Sequence, residues 1–129
     1  MRETFMGRGI VFAIVVAVGA SAAMASAQAQ INPFRSYTGP ALTKEDISAG
    51  SGAFHKLLNK DPASVGDTET WIDDTTGNQG KFTLRRIFQR SGMPCRAVAS
   101  EIAYKRTNTK REFTLTACRV AGGEWKLSH

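Results

Sequence analysis

Residues 95–118 read CRAVASEIAYKRTNTKREFTLTAC, and this stretch contains both cysteines of the chain. Apolar and polar residues alternate on either side of a polar centre near Arg106, which is typical of two strands joined by a turn. Directly opposed positions of an antiparallel pair are close enough for a disulfide. The stretch therefore predicts a β-hairpin in which Cys95 is bonded to Cys118. Two free thiols or a metal pair are the alternatives, although His55 and His129 do not complete a metal set.

This pairing fixes the positions of the other hairpin residues. It places Val98 opposite Leu115, and Ser100 opposite Phe113. Arg96 and Arg119 each follow a cysteine, and we expect them on opposite faces of the sheet, with Arg119 the more exposed. We expect both arginines to form structural ion pairs, with three glutamates as candidate partners: Glu101, Glu112 and Glu124.

A helix precedes the strands. Thr43 is a suitable N-cap, and Asp46 three residues later suggests a capping box. Apolar residues then recur at helical spacing up to Leu58, and Lys60-Asp61-Pro62 ends the pattern. From Thr68 the period becomes two. The sequence predicts an α+β fold, with one N-terminal helix packed on a four- to five-stranded antiparallel β-meander that carries one disulfide.

The second predicted strand has an interrupted apolar face. Phe82, Leu84 and Phe88 alternate with polar residues and are expected on one half-buried face. Arg86 breaks this face, and we expect its stem to lie under the sheet edge with its head in water. A polar turn with two glycines, residues 73–80, precedes the strand.

The N-terminal residues have the pattern of a secretory signal peptide. Arg2 and Arg8 precede the apolar run 10–20, and overlapping A-x-A sites follow. We expect three segments: a signal peptide at 1–27, a flexible arm at 28–41 and a single α+β domain at 42–129. Since export leads to an oxidising compartment, it favours the disulfide. No second apolar run follows, so we expect no transmembrane segment in the mature chain.

The chain is basic, with a formal net charge of +6. Removal of residues 1–27 deletes Arg2, Arg8 and Glu3 and leaves about +5. Such a surface attracts anions, and Arg85, Arg90 and Lys110 are the candidate binding residues. The expected partner is an envelope protein, a glycan or an anionic lipid. Nucleic acid is not expected, because no aromatic interleaving accompanies the basic residues.

The sequence contains no combination of residues that indicates catalysis. No Ser-His-Asp set stands out, and both cysteines are assigned to the disulfide. Asp73 and Asp74 are adjacent, so their carboxylates are expected to point in different directions. No catalytic residue, metal ligand or cofactor site is therefore assigned, and we expect that the protein is not an enzyme.

Five short motifs resemble the C-terminal domain of the bacterial surface-antigen family typified by the rickettsial 17-kDa antigen. They lie between Gly66 and Trp125: Trp71, Thr76-Gly77-Asn78-Gln79-Gly80, Cys95-Arg96, Ala117-Cys118-Arg119 and Gly123-Glu124-Trp125. The resemblance implies a cell-envelope protein of Gram-negative bacteria, without an established enzymatic role. This chain lacks the family's lipid-modified cysteine and its glycine-rich segment, which favours a free periplasmic or secreted domain over an anchored one.

Two hypotheses about function follow. The first is an exported, non-catalytic binding or structural module of the periplasm or outer membrane. The second is a periplasmic inhibitor of a cell-wall hydrolase or similar enzyme, which would present the turn 73–80 to an active site. Trp71 and Trp125 are expected in the core of the small domain, because large aromatic side chains contribute much of its buried area.

Overall fold

The computed structural model of the protein describes residues 31–128. The predicted signal peptide, the first residues of the predicted arm (28–30) and His129 lie outside the described residues. One helix and five strands follow one another along the chain: α1 Lys44–Leu58, β1 Thr68–Ile72, β2 Gln79–Arg90, β3 Met93–Tyr104, β4 Thr109–Arg119 and β5 Trp125–Ser128. The strands form one antiparallel sheet in the order β1-β2-β3-β4-β5, so the predicted α+β meander is confirmed.

Helix α1 begins where the sequence predicts. The Thr43 hydroxyl accepts a hydrogen bond from the Asp46 amide, and the Asp46 carboxylate accepts one from the Thr43 amide, each at 3.0 Å. This capping box satisfies two amides that the first turn would otherwise leave free. Phe54, Leu57 and Leu58 are completely buried against the sheet, and burying a side chain of this size contributes about 1.5–3 kcal/mol.

The predicted hairpin register is confirmed. Cys95 lies opposite Cys118, with Cα atoms 4.1 Å apart and the two sulfurs bonded. The pairings of Val98 with Leu115 and of Ser100 with Phe113 are also present. Because side chains alternate across a strand, the sheet has two distinct sides. We call the side that contacts α1, which carries Val98, the helix face, and the side that carries Cys95 the helix-free face.

The arm contributes a residue to the core that its sequence did not suggest. Residues 31–41 are irregular, as the sequence predicts, but Phe34 is 6% exposed and packs edge-on against Trp71, with ring centroids 5.9 Å apart. Its ring lies against Gly50 of α1, where a Cβ atom would overlap it. The Tyr37 hydroxyl is 2.6 Å from the Tyr104 hydroxyl, so the arm is held to the sheet at two points.

Candidate functional site

Trp71 and Gly80 of the family motif pack against each other. Trp71 is 6% exposed and lies directly opposite Gly80 in the β1–β2 pair. A Cβ atom at residue 80 would overlap Nε1 of the Trp71 indole, so glycine is required there. Gly77 has φ +74°, a conformation that side chains disfavour. Trp125 is 3% exposed, so both tryptophans lie in the core as predicted.

A buried carboxylate joins the turn before β2 to the N-terminus of α1. Besides capping the helix, the fully buried Asp46 accepts hydrogen bonds from the Thr76 hydroxyl at 2.7 Å and from the side-chain amide (Nδ2) of Asn78 at 3.0 Å. Burial by itself raises the pKa of Asp46. The hydrogen bonds from Thr43, Thr76 and Asn78, together with one shared with Asp73, outweigh this effect and hold the pKa below its ordinary value.

Asp73 fixes the other end of the same turn. Its carboxylate accepts from the Thr75 amide at 2.9 Å and from the Thr43 hydroxyl at 3.4 Å. Its main-chain amide donates to the Asn78 carbonyl at 2.8 Å. Asp73 and Asn78 are buried, whereas Asp74 and Thr75 are exposed. The turn is therefore anchored to the helix at both ends and is not a free loop.

Arg96 and Arg119 lie on the same face, so the predicted opposite placement is wrong. Arg96 pairs with Ala117, and Arg119 is two residues further along β4, where alternation returns the side chain to the same side. Their guanidinium carbons lie 5.2 and 5.9 Å from the centre of the Trp125 ring. The order of the strands thus brings both arginines and Trp125 together on the helix face.

Their partners are main-chain oxygens, not glutamates as predicted. Arg96 donates to the carbonyls of Leu57, at 3.0 Å, and of Leu58 and Lys60, at the C-terminal end of α1. This end carries the negative pole of the helix dipole, so a cation stabilises it. Arg119 donates to the Gly123 carbonyl at 3.1 Å. The two family-motif arginines therefore have a structural role.

The candidate binding residues Arg85, Arg90 and Lys110 do not form one cluster. Arg90 pairs with Met93 at one end of the β2–β3 hairpin, whereas Lys110 pairs with Ala103 at the other. Ten residues of extended strand separate these positions on β3, which is about 33 Å. Lys110 also forms an ion pair with Glu101 at 3.4 Å. Arg85 lies at a bulge of β2 about midway between Arg90 and Lys110, where it lines a groove with Glu101 and Glu112.

A β-bulge corrects the prediction for β2. The pairing with β3 shifts between Leu84 and Arg86 and leaves Arg85 as the extra residue. Beyond the bulge, Arg86 pairs with Ala97 and Phe88 with Cys95, so Phe88 lies on the helix-free face and not with Leu84. The Arg86 guanidinium lies over the Phe88 ring, with its carbon 4.3 Å from the ring centre, instead of under the sheet edge.

The helix-free face has an excess of positive charge. Its floor is made of small side chains, among them Thr83, Ala97, Ala99, Thr114 and Thr116. Two acidic residues, Glu101 and Glu112, share this face with six basic ones: Lys81, Arg85, Arg86, Arg90, Lys110 and Lys126. The other Lys and Arg residues of the described chain are nearly balanced by carboxylates. The positive charge is therefore concentrated on the side of the sheet that no helix of residues 31–128 covers.

Sequence reasoning missed two members of this surface. Arg86 was expected at the sheet edge, and Phe88 was expected in the half-buried apolar face. The sequence signal was present in part, because a strict period of two would place Arg86 on the helix face beside Leu84. A charged side chain at an apolar position is one sign of a bulge, and the bulge resolves the conflict by moving Arg86 to the open face.

Between residues 31 and 128, no three His, Cys, Asp or Glu side chains lie close enough together to hold a metal ion. In the same range, no helix has the length and apolar character needed to span a bilayer.

Comparison with known proteins identifies one family. A family model described as 17 kDa outer membrane surface antigen matches residues 60–126, which is just over half of the chain. The match runs from the end of α1 into β5 and includes the disulfide and both tryptophans. No curated protein and no solved structure matches the chain.

Proposed function

The chain belongs to the 17 kDa outer membrane surface antigen family, and on that basis we propose that it is an exported, non-catalytic module that binds an anionic component of the cell envelope through its helix-free face. Membership of this family supports association with the cell envelope. The distribution of charge on the sheet supports the choice of surface. Periplasmic or outer-membrane-associated residence is part of the same proposal, as is export by the predicted signal peptide.

One observation carries this proposal. Arg85, Arg86 and Arg90 follow one another along the helix-free face of β2, and within residues 31–128 none of them forms an ion pair with a carboxylate. The ion pairs present in that range join Lys60 to Asp67 and Lys110 to Glu101. Unpaired cations grouped on one face attract polyanions and steer their approach, whereas the paired Lys110 contributes less.

Salt and charge reversal test the proposal. We expect the mature protein to bind outer-membrane vesicles, and the bound fraction to fall as salt rises from about 0.1 to 0.5 M, because screening shortens the range of the attraction. The variant Arg85→Glu, Arg86→Glu, Arg90→Glu should lose most of this binding. Its fold should persist, because exposed substitutions change stability by about 0.5 kcal/mol or less each.

A matched control separates location from net charge. Lys44, Lys56 and Arg106 are exposed and lie outside the helix-free face. Their reversal to glutamate changes the net charge by the same amount, and we expect it to leave most of the vesicle binding intact. Equal losses in the two triple variants, or binding that does not respond to salt, would reject the helix-free face as the binding surface.

A further inference from the structure

We infer that Arg85, Arg86, Phe88 and Arg90 form a binding site for phosphate groups of membrane lipids. This inference rests on the proposed function, because it identifies the anionic component that the helix-free face binds. The four residues lie within six positions of β2, at its bulge and just beyond it. The name phosphate cluster is used for them below.

The bulge brings the arginines together. In a regular strand Arg85 and Arg86 would point to opposite faces. Here Arg85 lines the groove of the helix-free face, whose other charged residues are Lys81, Glu101 and Glu112. Arg86 pairs with Ala97 on that same face. Two consecutive guanidinium groups therefore lie on one side of the sheet. With Arg90 four residues on from Arg86, the cluster holds three cations.

Phe88 holds two of these cations in place. The guanidinium carbons of Arg86 and Arg90 lie 4.3 and 5.5 Å from the centre of its ring, within range of cation–π attraction. Arg90 is held further by a 2.6 Å hydrogen bond from Nη1 to the Ser128 hydroxyl. Since the side chains are positioned in advance, a ligand has less rotamer entropy to remove.

The donor chemistry favours phosphate. A guanidinium presents N–H donors in a planar fork that matches two oxygens of a phosphate. Within residues 31–128, neither Arg85 nor Arg86 donates a side-chain hydrogen bond to the protein, and Arg90 uses one nitrogen, Nη1, for Ser128. Most of the N–H groups of the cluster are therefore free for a ligand.

The openness of the site favours lipid phosphate over a small soluble anion. Arg85, Arg86 and Arg90 are exposed and Phe88 is half-buried, so a single phosphate on the cluster stays in contact with water and is held weakly. A membrane presents many phosphates at once, and each nearby Lys or Arg adds to the attraction to an anionic surface. Lys81, on the same face, extends the contact.

Vesicle binding tests the inference with net charge held constant. The probes are phosphatidylcholine vesicles that contain either phosphatidic acid or oleate, adjusted to the same surface charge. We expect the wild-type protein to bind the phosphatidic acid vesicles about fivefold more tightly, because the carboxylate of oleate has fewer acceptor oxygens. The double variant Arg86→Lys, Arg90→Lys keeps its charge but loses two planar forks, and should lose most of this preference.

Phe88 variants test the role of the ring. Phe88→Leu removes the aromatic face and should weaken binding to phosphatidic acid vesicles, whereas Phe88→Tyr retains the ring and should bind like the wild type. Thermal unfolding of both variants, followed by circular dichroism, shows whether the comparison is made between folded proteins. Equal affinity of the folded Leu and Tyr variants would overturn the assigned role of Phe88.

Other results would overturn the inference and leave the proposed function intact. One is equal binding to phosphatidic acid and oleate vesicles at matched charge. Another is tight binding of inorganic phosphate, measured from the NMR signals of the arginine side chains, in a protein that does not bind vesicles. A third is salt-sensitive binding to outer-membrane vesicles but not to either lipid vesicle, which would indicate a protein or glycan partner. Absence of binding to every anionic probe would instead reject the proposed function.

Discussion

On the helix face, Arg96 donates to main-chain carbonyls at the end of α1, while on the helix-free face Arg85 and Arg86 have no carboxylate partner within residues 31–128. Arg96 lies on β3 and Arg86 on the neighbouring strand β2, and each has an aromatic ring close by. On the helix face the ring is the buried Trp125, and on the helix-free face it is the half-buried Phe88. The element that covers the sheet therefore decides which arginines bond to the fold and which have no carboxylate partner within residues 31–128.

The two faces also differ in what holds them together. The helix face buries Phe82, Leu84 and Val98 beneath α1, together with the hydrogen-bonded Asp46. The helix-free face has no covering element in the described chain, and a covalent bond between Cys95 and Cys118 crosses it. A basic surface can thus remain open to solvent without a packed layer above it, and each of the following predictions tests one side of this difference.

Removal of the disulfide should have the largest effect on stability. The closed loop contains 22 intervening residues, and in the chain-entropy model its loss costs about 3 kcal/mol. We expect Cys95→Ala with Cys118→Ala to lower the free energy of unfolding in urea by that amount. The hydrogen-exchange protection of the α1 amides, compared with that of the strand amides, should stay as it is in the wild type. Selective loss of protection in α1 would contradict the separation of the two faces.

Replacement of Asp46 should be the next largest effect. The Asp46 carboxylate accepts hydrogen bonds from Thr43, Thr76 and Asn78. In Asp46→Asn one of its two oxygens becomes an NH₂ group, which donates and cannot accept, so buried donors are left unpaired. We expect a loss of about 2 kcal/mol at neutral pH. Asp74→Asn, at the exposed residue of the same turn, is the control and should change stability by less than about 0.5 kcal/mol.

This loss should depend on pH. The pKa of Asp46 is lower in the folded protein than its ordinary value of 3.8. Its stabilising contribution is therefore fully present above that value and is lost as pH falls through the lower folded pKa. The difference in unfolding free energy between wild type and Asp46→Asn should shrink between about pH 5 and pH 2. A constant difference over this range would show that the charge of Asp46 does not stabilise the fold.

The sequence predicted the strand order, the cap and the hairpin register, since these depend on local pattern. Alternation from Cys95 to Tyr104 and the spacing of Thr43 and Asp46 are visible in short windows. Other features depend on contacts between distant residues. Asp46 and Asn78 are 32 positions apart, and the burial of Phe34 depends on where the arm crosses the sheet. Period and composition do not encode such contacts.

The candidate site was predicted only in part, for a related reason. A bulge adds one residue to a strand and changes the face of every residue beyond it. Positive charge near the end of β2 was therefore predictable, whereas the placement of Arg86 and Arg90 over Phe88 was not. The error at Arg119 has a simpler origin. Arg119 lies two residues from Ala117, which pairs with Arg96, and positions two apart on a strand share a face.

The smallest expected effect comes from a matched pair of arginine substitutions, one on each face. Arg96→Met keeps an apolar stem beside Trp125 but removes the donors to Leu57 and Leu58. We expect it to lower the free energy of unfolding by about 1.5 kcal/mol, because the end of α1 loses charge-assisted hydrogen bonds. Arg86→Met removes the same charge and the same number of atoms from the helix-free face. Within residues 31–128, Arg86 donates no hydrogen bond to a main-chain oxygen. The substitution should change stability by less than about 0.5 kcal/mol and reduce vesicle binding instead.

Urea unfolding measures the stability of both variants, and vesicle sedimentation measures their binding. Two outcomes would contradict this comparison: Arg86→Met destabilising the fold more than Arg96→Met, or a folded Arg96→Met binding vesicles more weakly than Arg86→Met. Either would show that the packing of α1 on one face does not explain why the two arginines differ.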